Sequence, residues 1–480
     1  MKNIILTAAV IISFAASAFC GDYDSLALEI ISSSGHKAEN IGFVVRKISD
    51  STQIAALNPQ KSFIPASLQK LFTAAAALDK LGVTYRCQTK IYAENFDRVS
   101  GEVKGDLYIV GAGDAGISAE RLWLMAQYLR HSGVKSIPNR LVIDNSYFSQ
   151  EETLAPGYGE ANNSRAYMSP ISAFSVSFNA TSVVVQPSVS GENAFVHIFP
   201  PRHDVPMTGS VSTIEKGKDL SVSTKKHPAN GMEILLDGTV KPGDKPKYVY
   251  RQVWEPVTNA GESFRAVAKQ VGIQADFTVA IGKVDKEKAE LILTYDSEPL
   301  YESVKSMFKY SNNFTAEMMF LIFAEETMKS PPDWKSGSKV IQDWWKERFP
   351  QSGEISVING SGMGDGNKCS AGQVSDLLSW SAKQIWFYDY ISMMSIAGVD
   401  GTLSKRFKGT DLIGDFRGKT GTLNDFGVSG LAGYFTANGE MYSAVFIAND
   451  RATSQYAKWI LSEQLIAGVK KAIETKKVIK

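Results

Sequence analysis

Two stretches of helical periodicity enclose a long middle part that lacks it, and this contrast restricts how the chain can be laid out. From about residue 85 to 290 the sequence runs in short β-like segments, GDLYIVGAG, RLVIDNSYF, TSVVVQP, AFVHIFP and GMEILLDGTV, separated by Gly, Pro and Asn breaks. One helical pattern, at 119–132, interrupts them. Upstream, IGFVVRKISDSTQIAALN predicts two strands joined by a polar Asp-Ser turn. PASLQKLFTAAAALDKLG then predicts a helix, because Leu68, Leu71, Phe72, Ala75, Leu78 and Leu81 recur at helical spacing between Pro65 and Gly82. Helical texture returns at Ser297, with a pattern at 316–328 and a Trp-rich stretch around Trp344. Strands at 427–436 and 441–449 flank Asn438-Gly439, a strong hairpin signal. In the last predicted helix Tyr456, Trp459, Ile460, Ile466, Val469 and Ile473 mark one face, and its basic end suits the helix dipole of an element packed on a sheet.

Charge and cysteine usage exclude several classes. Lys plus Arg number 51 against 50 Asp plus Glu, so no basic surplus favours nucleic acid. Five histidines occur (His36, His131, His197, His203 and His227), and the three cysteines (Cys20, Cys87 and Cys369) form no CxxC pair. Neither pattern fits a zinc site, and no metal or other cofactor is expected. Any chemistry beyond residue 227 has to proceed without histidine.

The N-terminus MKNIILTAAVIISFAASAFC has one cation, Lys2, ahead of an apolar core from Ile4 to Phe14, followed by Ala16-Ser17-Ala18. This is the form of a secretory signal over 1–18, cut after Ala18. The remainder has no further apolar run of transmembrane length, so a soluble product in the periplasm or otherwise exported is expected. In such a compartment Cys87 and Cys369 are available for a disulfide.

Three short motifs follow in order: Ser67-Leu68-Gln69-Lys70, Ser311-Asn312-Asn313 and Lys419-Thr420-Gly421. Ser-x-x-Lys alone carries little weight, since it also starts at Ser34, Ser132, Ser223, Ser306 and Ser336. Only the one at Ser67 opens a strongly apolar helix directly after a proline. There the Ser and Lys share a helix face, which puts the amine within reach of the hydroxyl. Ser-x-Asn recurs at Ser177, whereas Lys-Thr-Gly occurs once, just before the terminal hairpin. The ordered set is the signature of penicillin-binding proteins and serine β-lactamases.

The chain resembles the D-alanyl-D-alanine carboxypeptidase/endopeptidase family of the penicillin-binding protein 4 type. The resemblance rests on PASLQKLFTAAAALDKLG, GDLYIVGAGD, RLVIDNSYF, YMSPISAFSV, NGSGMG, IAGVDGTLSKRF and FRGKTGTLNDFGVSGLAGYF. The separation of 244 residues between Ser67 and Ser311 (311 − 67) fits a family with domains inserted between the motifs. It implies an α/β transpeptidase-like domain, an antiparallel sheet flanked by helices, assembled from 22–85 and 290–480. Two small β-rich domains would occupy 86–289.

The resemblance further implies a serine DD-peptidase acting on peptidoglycan stem peptides and acylated by β-lactam antibiotics. Ser67 would attack the penultimate D-alanine carbonyl, and Lys70 would act as base, its pKa lowered by a neighbouring cation such as Lys419. Ser311 would relay the proton. Asn313 would orient Lys70 and contact the substrate backbone. Lys419, Thr420 and Thr422 would hold the terminal carboxylate, and Gly421 would let the substrate lie against the strand. The backbone N–H groups of Ser67 and Thr422 would form the oxyanion hole. Asn359-Gly360-Ser361-Gly362 resembles a family turn that often begins with Asp, and reads here as a tight structural turn. The alternatives are a β-lactamase or esterase of the same superfamily, opposed by the long insertion and the lack of an ExxLN segment, or an idle exported scaffold, opposed by the intact motif residues.

Overall fold

The computed structural model describes residues 22–149, 153–159, 164–202 and 204–478. The segment read as a secretory signal and His203 lie outside the described residues.

A six-stranded antiparallel sheet organises both ends of the chain. Its order is Gln53–Leu57, Ile41–Lys47, Glu440–Asn449, Val428–Ala437, Arg417–Leu423 and Ser395–Ile396. Strand alternation gives it two buried faces. Phe43, Val45, Leu431, Phe435 and Phe446 point into a core shared with the helix Gln455–Val478, where Leu461, Leu465, Val469 and Ile473 meet them. Val44, Ala432, Tyr434, Val445 and Ile447 face the opposite core, built around the helices Gln69–Leu81, Asn313–Met328, Trp334–Arg348 and Ala371–Ser381. The terminal helix therefore packs on the sheet as expected, although Tyr456 is exposed rather than part of the buried stripe. Asn438 and Gly439, both at positive φ, turn the terminal hairpin, which is the backbone a two-residue Asn-Gly loop requires.

In the middle of the chain a five-stranded mixed sheet runs Thr278–Ile281, Arg140–Asp144, Leu107–Val110, Gln88–Glu94 and Ala289–Asp296. Two helices share its core, Ala119–His131 and Pro256–Gln270. The second was not foreseen: Val, Thr, Asn, Gly and Ser fill much of PVTNAGESFRAVAKQ, and all are indifferent helix formers. Burial of Ala260, Phe264, Val267 and Ala268 against the sheet overrides that preference. A separate core lies under the antiparallel sheet Phe195–Phe199, Ala180–Gln186 and Lys247–Gln252, where Val183 and Val185 meet Val222 and Ile234. Cys87 and Cys369 are both buried and unpaired. Burial raises both thiol pKa values, that of Cys369 to about 12, so neither is a nucleophile at neutral pH. Among the described residues no helix is long and apolar enough to cross a membrane.

The helix carrying the first motif is backed by an aromatic stack. Trp345 lies 4.0 Å from Phe349 and 5.3 Å from Phe72, ring centre to ring centre, and donates its indole N–H to the Gly353 carbonyl at 2.8 Å. Trp345→Ala is expected to destabilise the protein by about 3–5 kcal/mol, read as a lower midpoint in chemical denaturation.

Candidate active site

Pro65 precedes a single 3-10 turn, Ala66–Leu68, which feeds directly into the Gln69–Leu81 helix. This entry is anchored from a distance: Asn449, ending a central strand, accepts from the Ile64 N–H at 2.8 Å and donates to the Ile64 carbonyl at 3.1 Å. Ala66 takes a positive φ of 49°, an unfavourable backbone for a non-glycine residue. Ser67 follows it and remains partly exposed at the mouth of the site, while Lys70, one turn on, is fully buried.

The Lys70 ammonium nitrogen lies 2.8 Å from Ser67 Oγ, 2.8 Å from Asn313 Oδ1 and 2.9 Å from the Ser361 carbonyl. These acceptors match its three N–H directions. In the neutral amine the lone pair takes one of these directions, and Ser67, the one partner able to donate a proton, is the natural occupant. Burial pulls the Lys70 pKa down to about 7, opposed by the charge of nearby Glu317. The depression therefore comes from desolvation, not from Lys419 as the sequence led us to expect. The Lys70–Lys419 repulsion registers on Lys419, whose pKa falls well below normal through burial first and the Lys70 charge second.

Ser311 caps the helix Leu300–Tyr310 in a left-handed conformation, φ 56°, which turns the chain so that Asn313 opens the next helix. Ser311 Oγ accepts from Lys419 Nζ at 2.8 Å, and Lys419 also donates to the Thr420 carbonyl at 2.7 Å. Asn313 Nδ2 reaches the Tyr167 carbonyl at 3.2 Å, so its amide joins the Lys70 nitrogen to the 164–179 segment. Lys419 sits on Arg417–Leu423, whose outer edge is covered by the Ser395–Ile396 strand only at Arg417 and Gly418. Among the described residues, the edge beyond Gly418 has no strand partner on that side.

Strand alternation separates the remaining motif residues. Lys419 and Gly421 are buried, and Thr422 is exposed. Thr420 Oγ1 donates to Thr402 Oγ1 at 2.9 Å. A Cβ on Gly421 would come within 2.9 Å of the Pro65 carbonyl oxygen and 3.3 Å of the Ser67 nitrogen. The close approach that Gly421 permits is thus to the Ser67 turn itself, a reason the sequence did not disclose.

Sequence reasoning missed Glu317. It is fully buried and accepts from the Gly360 N–H at 2.7 Å, the Ser361 N–H at 3.1 Å and the Tyr158 hydroxyl at 3.0 Å. Burial raises its pKa, while the Ser361, Gly360 and Tyr158 hydrogen bonds and the Lys70 charge act against the rise. A lone acid in the apolar run NFTAEMMFLIFA, one turn after Asn313, was the available signal. Asn359 uses both ends of its amide: Nδ2 donates to the Pro156 and Met363 carbonyls at 2.6 and 2.9 Å, and Oδ1 accepts from the Gly362 N–H at 2.8 Å. A carboxylate could not make the two donations, which agrees with a structural turn.

A partly exposed Ser bonded to a buried Lys at a helix entry, with Ser-x-Asn on one side and a Lys-Thr-Gly sheet strand on the other, defines an active-site-serine acyl-transfer enzyme of the penicillin-recognising class. The D-Ala-D-Ala carboxypeptidase 3 (S13) family matches residues 27–465. A D-alanyl-D-alanine carboxypeptidase of Actinomadura sp. (strain R39) is 30% identical over 406 residues, covering 82% of this chain and 74% of that one. The D-alanyl-D-alanine carboxypeptidase DacB of Haemophilus influenzae is 25% identical over 425 residues, 87% of each chain. Among solved structures, penicillin-binding protein 4 from H. influenzae superposes with a TM-score of 0.75 at 24% identity, covering 89% of this chain and 95% of that one. The chain belongs to the S13 family and is a serine-type D-Ala-D-Ala carboxypeptidase.

Two variants test how the site is held. At Gly362 (φ 83°) a Cβ would collide with the Ala66 carbonyl oxygen. Gly362→Ala is therefore expected to displace the nucleophile turn and lower the acylation rate by about a hundredfold, the scale for a 1 Å misplacement. Glu317→Gln removes the charge that opposes the fall of the Lys70 pKa. It should move the midpoint of the acylation–pH profile to lower pH; an unmoved midpoint would show that Glu317 and Lys70 do not interact.

Proposed function

We propose that Ser67 is the nucleophile and Lys70 its base in the hydrolysis of the terminal D-Ala-D-Ala bond of peptidoglycan stem peptides. The observation that carries this reading is the 2.8 Å contact between Ser67 Oγ and a fully buried Lys70 nitrogen, whose pKa burial lowers. A neutral Lys70 takes the Ser67 proton as the oxygen attacks the carbonyl, giving an acyl-enzyme and releasing D-alanine. Ser311, bonded to Lys419, relays the proton to the departing amine. Water then cleaves the ester. Asn313 orients Lys70, and the Ser67 and Thr422 N–H groups receive the developing oxyanion.

Lys419 receives the substrate's terminal carboxylate, with Thr420 and Thr422 beside it. Burial first and the Lys70 charge second disfavour the Lys419 ammonium. An arriving carboxylate supplies the missing countercharge, favours the Lys419 ammonium, and leaves Lys70 as the neutral partner. Binding and base activation are thereby coupled. The same steps acting on an amine from a cross-linked neighbour give endopeptidase action, and penicillins acylate Ser67 by the same attack. The site belongs to a catalytic domain formed by 22–85 and 290–480, with 86–289 inserted. Such a substrate places the protein outside the cytoplasm, in keeping with the signal-like N-terminus.

Intact mass after incubation with benzylpenicillin tests the assignment: one stoichiometric adduct on the wild type and none on Ser67→Ala is expected. An adduct that persists in the variant would exclude Ser67. The sign of the pH effect follows from the direction of the Lys70 shift. The neutral base gains population as pH rises, so the acylation rate should climb through about pH 7, well below the 10.5 of an ordinary lysine.

A further inference from the structure

A cavity of about 910 Å³ is lined by Ser311, Asn312 and Asn313 and, on another side, by the sheet Phe195–Phe199, Ala180–Gln186 and Lys247–Gln252. One face of that sheet is closed by its own apolar core, through Val183, Val185 and Val249. The other face, which lines the cavity, carries Ser182, Val184, Phe199, Tyr248 and Tyr250. Register puts Ser182 opposite both Phe199 and Tyr250, and Val184 opposite Tyr248, so the rings form one surface. Tyr248 and Tyr250 are 61% and 60% exposed, and Tyr310, across the cavity beside Ser311, is 77% exposed, far more than aromatic rings left to a core. Phe178 joins them from the Ser177–Asn179 turn and meets Phe314 edge-on at 6.1 Å.

Three observations identify the occupant. Among the described residues the cavity lining contains no charged side chain: its polar groups are tyrosine and serine hydroxyls and asparagine amides. Such a wall is a poor match for the carboxylates and ammonium groups of a stem peptide, but it suits a neutral ring whose C–H face lies on an aromatic plane and whose rim hydrogen-bonds to hydroxyls. Ser182, only 9% exposed in the cavity floor, has a hydroxyl without any hydrogen-bond partner. A buried unsatisfied hydroxyl is costly unless a ligand completes it. Finally, the cavity is continuous with the Ser311–Asn313 wall of the active site, so a molecule spanning both would carry a scissile peptide at one end and this neutral part at the other.

Resting on the peptidoglycan-peptidase reading, we propose that the Tyr248/Tyr250 face is a saccharide subsite that seats the amino-sugar rings of the glycan strand while its stem peptide reaches Ser67. The enzyme is then selective for stems still attached to glycan. The rings of Tyr248, Tyr250 and Phe199 form the stacking floor, Tyr310 closes the side, and the Ser182 hydroxyl donates to or accepts from a ring substituent.

The test compares two substrates of the same pentapeptide sequence ending in D-Ala-D-Ala, one free and one attached to soluble uncross-linked glycan strands. Wild-type enzyme should prefer the glycan-linked substrate. In Tyr248→Ser/Tyr250→Ser that preference should fall by about tenfold, through KM and with kcat retained. Equal losses on both substrates would overturn the proposal in favour of a peptide subsite, and so would a wild-type enzyme that does not distinguish them. Titration of Ser67→Ala protein with stem-free glycan strands, followed by tyrosine ring NMR signals, reads the subsite without turnover. Shifts that vanish in the double tyrosine variant support it, and no shifts overturn it. Benzylpenicillin acylation of the double variant reports its folding. Absence of that adduct on wild type would instead count against the peptidase reading and leave the glycan titration as the measure of this one.

Discussion

Lys70 is a fully buried amine held by three acceptors, one local and two from distant parts of the chain. Ser67 is its neighbour by helix geometry, but Asn313 lies 243 positions away and Ser361 lies 291 away. Removing an ammonium from water costs several kcal/mol, so the buried group sheds its proton easily or needs all three contacts to keep it. Either condition ties the protonation of Lys70 to the correct assembly of all three segments. The same contacts that position the Lys70 amine also keep the Ser67 turn, the Asn313 helix and the Asn359–Gly362 turn against one another. Catalytic geometry and tertiary closure are here one set of bonds.

The surrounding architecture makes that closure possible. The sheet has a core on each side, which leaves its Arg417–Leu423 strand with a free edge only where the site needs one. Backbone strain collects at the same place: Ala66 and Ser311 both adopt left-handed conformations, each costing on the order of 1–3 kcal/mol. Glycines at 362 and 421 allow the close backbone approach that holds the nucleophile turn in this state, and the Asn449 amide fixes its approach from the other side. Glu317 completes the support by binding the backbone N–H groups of Gly360 and Ser361, the latter next to the carbonyl that Lys70 uses.

Elements with a strong local signal were legible in advance. The Gln69–Leu81 helix shows its apolar period between a proline and a glycine, and the Val428–Ala437/Glu440–Asn449 hairpin shows its Asn-Gly turn. Pro256–Gln270 was not legible, because its helicity comes from burying Phe264 and Val267 against a sheet whose strands lie elsewhere in the sequence. Glu317 was overlooked for a related reason. Its importance lies in what it touches, and Gly360 and Ser361 are 43 and 44 positions away. The exposed tyrosines of Lys247–Gln252 went unremarked in the sequence, since only register places them on one open face.

The ordered motifs carried the family and the residues that meet in one site, Ser67, Lys70, Ser311, Asn313 and Lys419, because side-chain chemistry and helical spacing are local properties. Folding supplied what depends on long-range contact: the desolvation that lowers the Lys70 pKa, the carboxylate that opposes it, and the role of Gly421 as a seat for the nucleophile turn. It also supplied the aromatic wall beside Ser311. Burial and register arise only when segments hundreds of residues apart meet, and no local pattern encodes them.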